Sequence, residues 1–338
     1  MFTRRSINFF IGLIILMLIG GGGLIYWSGK QYDELVLAGD IALKEGNRKR
    51  EALDLYNQAK EMKRTPELQE RIDQLEADVF EMEQLFLSNL EYVDGGTYIM
   101  GNDFNDMEKP THEVRVSGFF MGKYEVTISE FAHFVEKTGY KSEAERVGGS
   151  EVVSGDKWVF TEGVSWQHDE FGNTRAEMDW SRYPVIHVSW YDASAYCKWV
   201  SEQTGYTFRL PREAEWEYAA LGGIYATPHT YAGGETPQQL GWYQGNSDRK
   251  VHPIGQLQSN EVNLFDMSGN VWEWCHDWYN LYPAYKQINP DGSSTGTGRV
   301  IRGGCWIRGE RAMEVTARGN YAPKRTFGHI GFRVVRER

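Results

Sequence analysis

The chain has 338 residues, 41% hydrophobic and 25% charged, a composition that fits roughly two folded domains of about 150 residues and excludes a disordered chain or a polytopic membrane protein. Its formal net charge of −11 excludes a nucleic-acid partner, because phosphate binding needs clustered cations. Three cysteines, Cys197, Cys275 and Cys305, are too few for a disulfide framework and permit one bridge at most.

The first predicted element is the uncharged run from Ser6 to Gly29, almost wholly apolar between Ile7 and Trp27. At about 1.5 Å per residue it is long enough for a bilayer core of about 30 Å, which predicts a transmembrane helix over 6–29. Arg4 and Arg5 then make residues 1–5 a cytoplasmic tail and send the globular part across the membrane, so the expectation is a single-pass, membrane-anchored, extracytoplasmic protein. A cleaved signal peptide is the competing reading, since Gly20 to Gly23 supply small residues, although no Ala-x-Ala site follows.

From 31 to 90 the residues are mainly Leu, Ala, Glu, Lys and Gln, a helical composition that predicts a stalk. Leu35, Ala38, Ala42 and Leu43, then Ala52, Leu53, Tyr56 and Ala59, recur at three- and four-residue spacing on either side of Gly46-Asn47. Two antiparallel helices follow, with further helix from Glu67 to about Leu87. The small-residue pattern resembles a single tetratricopeptide hairpin, and a lone copy serves better as a stalk than as a peptide groove.

After Tyr92 the texture changes to glycine, aromatics and short strand-like runs; aromatics make up 14% of the chain, with 12 Trp and 19 Tyr. Helices are predicted at Thr127–Thr138, opened by a Thr127/Glu130 capping box, at Trp190–Gln203, and at Pro211–Ala220, ended by Gly222-Gly223. Cys197 falls on the apolar face of the second and reads as core filling. Glu143 to Asp179 reads as an insertion whose Trp158, Trp166 and Trp180 belong to the core or to a binding rim.

The motifs Pro184-Val185-Ile186-His187-Val188-Ser189-Trp190, Arg209-Leu210-Pro211, Glu213-Ala214-Glu215-Trp216-Glu217-Tyr218-Ala219-Ala220, Asp266-Met267-Ser268-Gly269-Asn270-Val271-Trp272-Glu273-Trp274, Arg302-Gly303-Gly304 and Gly331-Phe332-Arg333 closely resemble the formylglycine-generating enzyme, or sulfatase-modifying factor, domain family. Gly95 to Gly101 and Lys123 to Thr127 extend the match over about 91–338. The resemblance implies an α+β domain with few regular elements and a C-type-lectin-like fold.

Family members that make formylglycine hold copper with two thiols; here those positions are Arg308 and Met313. Copper(I) wants soft thiolates, and a guanidinium repels it, so copper is disfavoured. Cys305 stands three residues before the first thiol position, and Cys275 ends the Trp-Glu-Trp segment. Two readings of that pair stand: a buried couple or disulfide, and a displaced metal site with Cys305 and Cys275 as divergent catalytic candidates. The eight histidines show no His-x3-His pair, which disfavours the iron of the family's sulfoxide synthases. A structural calcium site is implied at Asp266, Gly269, Val271 and Glu273, a hard oxygen set. The simpler alternative pairs Glu273 with a buried arginine such as Arg302.

The resemblance thus implies a pseudoenzyme, a membrane-anchored binding or scaffold module for an envelope protein or glycan. The alternative is an oxidase of the same family acting on a protein or peptide through a divergent site.

Overall fold

A computed structural model describes residues 21–338 apart from 47 and 156. The chain divides into two compact units, Met1–Glu83 with Glu202–Gly205, and Gln84–Ser201 with Tyr206–Arg338.

The first unit is helical, formed by α1 (Gly21–Gly46), α2 (Lys49–Met62) and most of α3 (Pro66–Phe86). The predicted hairpin is present: Ala42 of α1 meets Ala52, Tyr56 and Ala59 of α2, and α3 adds Leu68, Ile72 and Leu75. Gly39 admits the Tyr56 ring, because a Cβ there would lie 2.3 Å from it. The Tyr56 hydroxyl donates to Asp40, which also accepts from Arg71.

The expected membrane anchor is corrected. Among the described residues no helix is long and apolar enough to cross a membrane. Residues 6–20 of the apolar run lie outside the described residues, and α1 continues through Lys30, Asp33, Glu34 and Asp40 into a polar hairpin. The extracytoplasmic placement, which rested on that span, falls with it.

The second unit mixes short strands with helices. In chain order they are β1 (Leu90–Val93), β2 (Gly96–Met100), β3 (His112–Val116), β4 (Phe119–Gly122), α4 (Ile128–Thr138), α5 (Glu143–Val147), β5 (Gly149–Ser154) and β6 (Lys157–Glu162). Then come α6 (Trp190–Thr204), β7 (Phe208–Arg209), α7 (Glu213–Ala220), α8 (Pro237–Leu240), β8 (Trp272–Trp278), β9 (Gln287–Ile288), β10 (Arg299–Arg302), β11 (Arg318–Tyr321), β12 (Ile330–Gly331) and β13 (Val335–Arg336). One sheet runs β1-β4-β13-β7, a second β11-β10-β8-β12 and a third β2-β3-β9, while β5 and β6 form a hairpin. The predicted capping box opens α4, with Thr127 and Glu130 satisfying each other's backbone N–H groups. Pro211 lies ahead of α7, which starts at Glu213 with Arg212 as its N-cap.

The motifs meet one another through buried ions. Arg302 on β10 pairs with Glu217 on α7 and donates to the carbonyls of Val315, Thr316 and Ala317. Arg333, just after β12, donates to both oxygens of Glu273 on β8 at 2.6 and 2.7 Å, and to the Gly122 and Phe265 carbonyls. Arg318 on β11 pairs with Glu213. The alternative partner expected for Glu273 was Arg302; the structure gives it Arg333 instead.

The insertion is not an exposed aromatic rim. Trp166 is buried against Phe131 and Trp180, and Trp158 on β6 turns inward onto His329.

Glu217→Gln removes the carboxylate bonded to the buried Arg302 and leaves it only Glu213, 3.8 Å away and already held by Arg318. The expected cost is about 3–5 kcal/mol of unfolding free energy, read from the urea midpoint of the purified chain.

Candidate functional site

The site candidates sit around β8 and the loop after β10. Side chains alternate along a strand, so Glu273, Cys275 and Asp277 face α7 while Trp272 and Trp274 face the other way. On the α7 side, Trp216 donates its indole N–H to Glu273, and Asp277 accepts the Glu213 backbone N–H. Cys275 lies in the core with Trp216, Met267 and Val300. Burial, then the Glu213 and Asp277 charges, push its thiol well above the usual range.

Cys305 occupies the opposite side. Its carbonyl accepts the Arg308 backbone N–H, and burial pushes the thiol up to about 12 although the neighbouring Ile307 and Arg308 N–H groups and the Trp272 indole favour the thiolate. The expected Cys275–Cys305 couple is therefore corrected: both thiols are free and buried, and β8 separates them. Cys197 is also a free, buried thiol, as its place on α6 predicts. His276 does not join Cys275 in a ligand set; its ring is half-buried and lies 3.9 Å from Asp291.

Arg308 and Met313 do different work from one another. Met313 is fully buried with Tyr231, Leu240 and Tyr243. Arg308 is exposed and lines a groove of about 690 Å³ with Trp272, Arg311, Asn320 and Tyr321.

Behind Arg308 lies His329, which the sequence reading missed. It is fully buried, stacks on Trp158 with ring centroids 4.2 Å apart, and neither ring nitrogen has a hydrogen-bond partner. Burial, then the nearby Arg308 charge, hold it well below the usual histidine range. Its position two residues before Gly331-Phe332-Arg333 was the available signal, but only the fold brings Trp158 over it.

The calcium candidates separate into two groups. Glu273 has both oxygens engaged by Arg333 and one also by Trp216. Asp266 is buried; its Oδ2 accepts the Gly255 N–H, and its Oδ1 has no hydrogen-bond donor. It faces Glu125, likewise buried, whose Oε1 accepts from Asn270 and whose Oε2 has no donor. Burial pushes Asp266 up to about 6, and burial with the Asp266 charge raises Glu125 well above its ordinary range. Two bare carboxylate oxygens in a dry site require a shared proton or a hard cation. Gly269 and Val271 complete the loop, whose left-handed residues Asp266, Gly269 and Asn270 turn it tightly. Among the described residues no cluster of three or more His, Cys, Asp or Glu is arranged to hold a metal.

The sulfatase-modifying factor enzyme 1-like domain family matches residues 76–338. The formylglycine-generating enzyme of Streptomyces coelicolor is 34% identical over 278 residues, covering 71% of this chain and 86% of that protein. The inactive C-alpha-formylglycine-generating enzyme 2 of Bos taurus is 30% identical over 281 residues, covering 72% and 87%. Among solved structures, PvdO from Pseudomonas aeruginosa superposes with a TM-score of 0.58 at 24% identity, covering 74% of this chain and 94% of the other.

A sealed, protonated thiol is slow to react. Native protein is expected to leave Cys305 unmodified by a disulfide-exchange reagent over minutes, with all three cysteines reacting after denaturation; fast native labelling of Cys305, located by peptide mass, would contradict the geometry.

Proposed function

The chain belongs to the sulfatase-modifying factor enzyme 1-like domain family, and we propose that it uses this fold as a binding or scaffold module rather than as a copper-dependent formylglycine generator. The observation that carries this reading is the pair of residues at the thiol positions. Arg308 brings a permanent cation to the groove, and Met313 is committed to the apolar cluster with Tyr231, Leu240 and Tyr243. Cys305 is sealed and protonated, so it makes a poor ligand for a soft metal. An oxidase acting through Cys305 with Cys275 would have to bring together two thiols that β8 holds apart. The relative described as inactive shows that a family member need not be a catalyst. The partner in this reading is a protein or glycan held by loops on a rigid frame.

Calcium, where bound, would serve the same reading by fixing the loop before β8. Asp266 Oδ1 and Glu125 Oε2 are the side-chain oxygens that fit a hard cation, with the Gly269 and Val271 carbonyls as the loop's further donors. Glu273 stands behind them, neutralising Arg333. Bound calcium would supply charge and rigidity.

Incubated with copper and oxygen, the chain is expected to leave a Cys-x-Pro-x-Arg peptide unchanged in mass; appearance of the aldehyde product would overturn the binding-module reading. For calcium, millimolar ion is expected to raise the thermal midpoint relative to chelator, because a ligand of the native state alone stabilises it. The Asp266→Asn variant should lose that response, and an identical midpoint for the parent chain in both conditions would remove the ion from the proposal.

A further inference from the structure

A cavity of about 270 Å³ opens at the end of β8, where Asp277 and Glu213 meet Arg318. Asp277 is only 5% exposed; its Oδ2 accepts the Glu213 backbone N–H at 2.7 Å, and among the described residues nothing donates to its Oδ1. Oδ1 is therefore the oxygen that Asp277 offers to the cavity. Gly292 passes it with φ +73°, and a Cβ there would lie 2.7 Å away, so a larger residue would cover the carboxylate.

The charged groups of the lining are Glu213, Asp277 and Arg318, two carboxylates against one guanidinium. Arg318 is spent on both oxygens of Glu213 and on the Met107 and Asn280 carbonyls. Arg302, 3.8 Å from Glu213, is bonded to Glu217. Beyond the lining, Glu215 is held by Arg209 and Arg212, while Arg299 lies against the Trp190 and Trp278 rings and donates to the His276 carbonyl. Neither of those arginines nor Arg299 forms an ion pair with Asp277. The Glu213–Arg318 pair cancels, and the Asp277 charge is left over.

One surplus negative charge with one bare oxygen calls for a cation that bonds through a single point. A guanidinium fork matches both oxygens of a carboxylate, and Oδ2 is taken; an ammonium needs only Oδ1. The rim is apolar, with Leu281 and Tyr285 exposed and Ile288 of β9 exposed nearby in the chain. An alkyl stem ending in an ammonium fits that order of surfaces. The exposed apolar side chains around the opening favour a macromolecular partner over a free amine.

We propose that this cavity is an anchor for a lysine side chain of a partner protein, its ammonium donating to Asp277 Oδ1 and its stem packing on Leu281 and Tyr285. The inference rests on the binding-module reading and gives the partner a chemistry. Burial, then the Glu213 charge, push Asp277 up to about 7, with Glu215 acting the same way and Arg318 opposing them. The bound ammonium therefore displaces a proton from Asp277, while the lysine itself stays charged to about pH 10. Affinity should rise about tenfold between about pH 6 and about pH 8, as the carboxylate ionises.

The test is a ligand-observed NMR titration of the full chain with the blocked peptide Val-Lys-Val and with its norleucine and arginine counterparts. At about pH 8 the lysine peptide is expected to bind at least about tenfold more tightly than the norleucine peptide and several-fold more tightly than the arginine peptide. Asp277→Asn keeps an acceptor for the Glu213 N–H, and should reduce the lysine peptide to the norleucine level and flatten the pH profile. Leu281→Ala with Tyr285→Ala, both exposed, should weaken the lysine peptide several-fold with an unchanged thermal midpoint, which keeps the test open if Asp277→Asn does not fold. Equal binding of the lysine and norleucine peptides, an arginine peptide that matches lysine, a flat pH profile in the parent chain, or a folded Asp277→Asn with parental affinity would overturn the inference. So would n-butylamine that binds as tightly as the peptide, since the cavity would then hold a free amine. Those outcomes leave the binding-module reading standing, whereas aldehyde formation from the Cys-x-Pro-x-Arg peptide sinks that reading whatever the titration shows.

Discussion

Guanidinium groups shut away from water are the constraint on which the second unit depends. Arg302 and Arg333 are fully buried, and each is met by a carboxylate and by backbone carbonyls, from the 315–317 segment for Arg302 and from the end of β4 and the Phe265 turn for Arg333. A domain with strands of two to seven residues cannot satisfy its backbone through long ladders. Here arginine donors take over that task, because one fork can serve several carbonyls at once. Arg302 gathers the 315–317 segment and ties it to α7; Arg333 gathers the 122 and 265 turns and ties them to β8. The cost of desolvating such ions is large, so the arrangement secures one particular set of loop positions more than it adds net stability.

The same pairs explain why the motifs occur together. Glu217 in the α7 motif finds its counter-charge in Arg302 of Arg302-Gly303-Gly304, and Glu273 in Trp272-Glu273-Trp274 finds its own in Arg333 of Gly331-Phe332-Arg333. Gly303 and Gly304 both adopt the left-handed backbone, and a Cβ at Gly304 would lie 2.6 Å from the Ala312 carbonyl oxygen. That close approach brings the 305–313 loop back against the strand that launches it. The loop's register, and with it the exposure of Arg308 and the burial of Cys305 and Met313, follows from this turn.

Much of this was legible in the residues. The α4 capping box, the helical hairpin with Ala52, Tyr56 and Ala59 inward, and the core role of Cys197 all follow from local periodicity and cap chemistry, which act over a few residues. What stayed hidden depends on contacts far apart in sequence. Nothing near Glu273 distinguishes Arg333 from Arg302 as its partner, since one arginine ends a short strand, the other follows one closely, and both are buried. His329 and Trp158 lie 171 positions apart by their numbering, so no pattern in one segment announces their stacking. The reading of Cys275 with Cys305 failed for a related reason: closeness to one motif says nothing about which face of β8 a side chain takes. The apolar run at the N-terminus met a different limit, since hydrophobic length is a property of composition and the described part of α1 is set by the charged hairpin it enters.

The division of labour between frame and groove decides what this fold can afford to change. The ion pairs that fix the loops lie on the α7 side of β8, and Arg308 lies at the surface. A substitution at Arg308 therefore touches no buried partner, and one at Met313 only has to fill the space among Tyr231, Leu240 and Tyr243. Side chains on the exposed face can change without disturbing the contacts that define the architecture. The sealed Cys305 shows the other half of the same logic: a thiol shut inside the frame loses water, stays protonated and serves as packing.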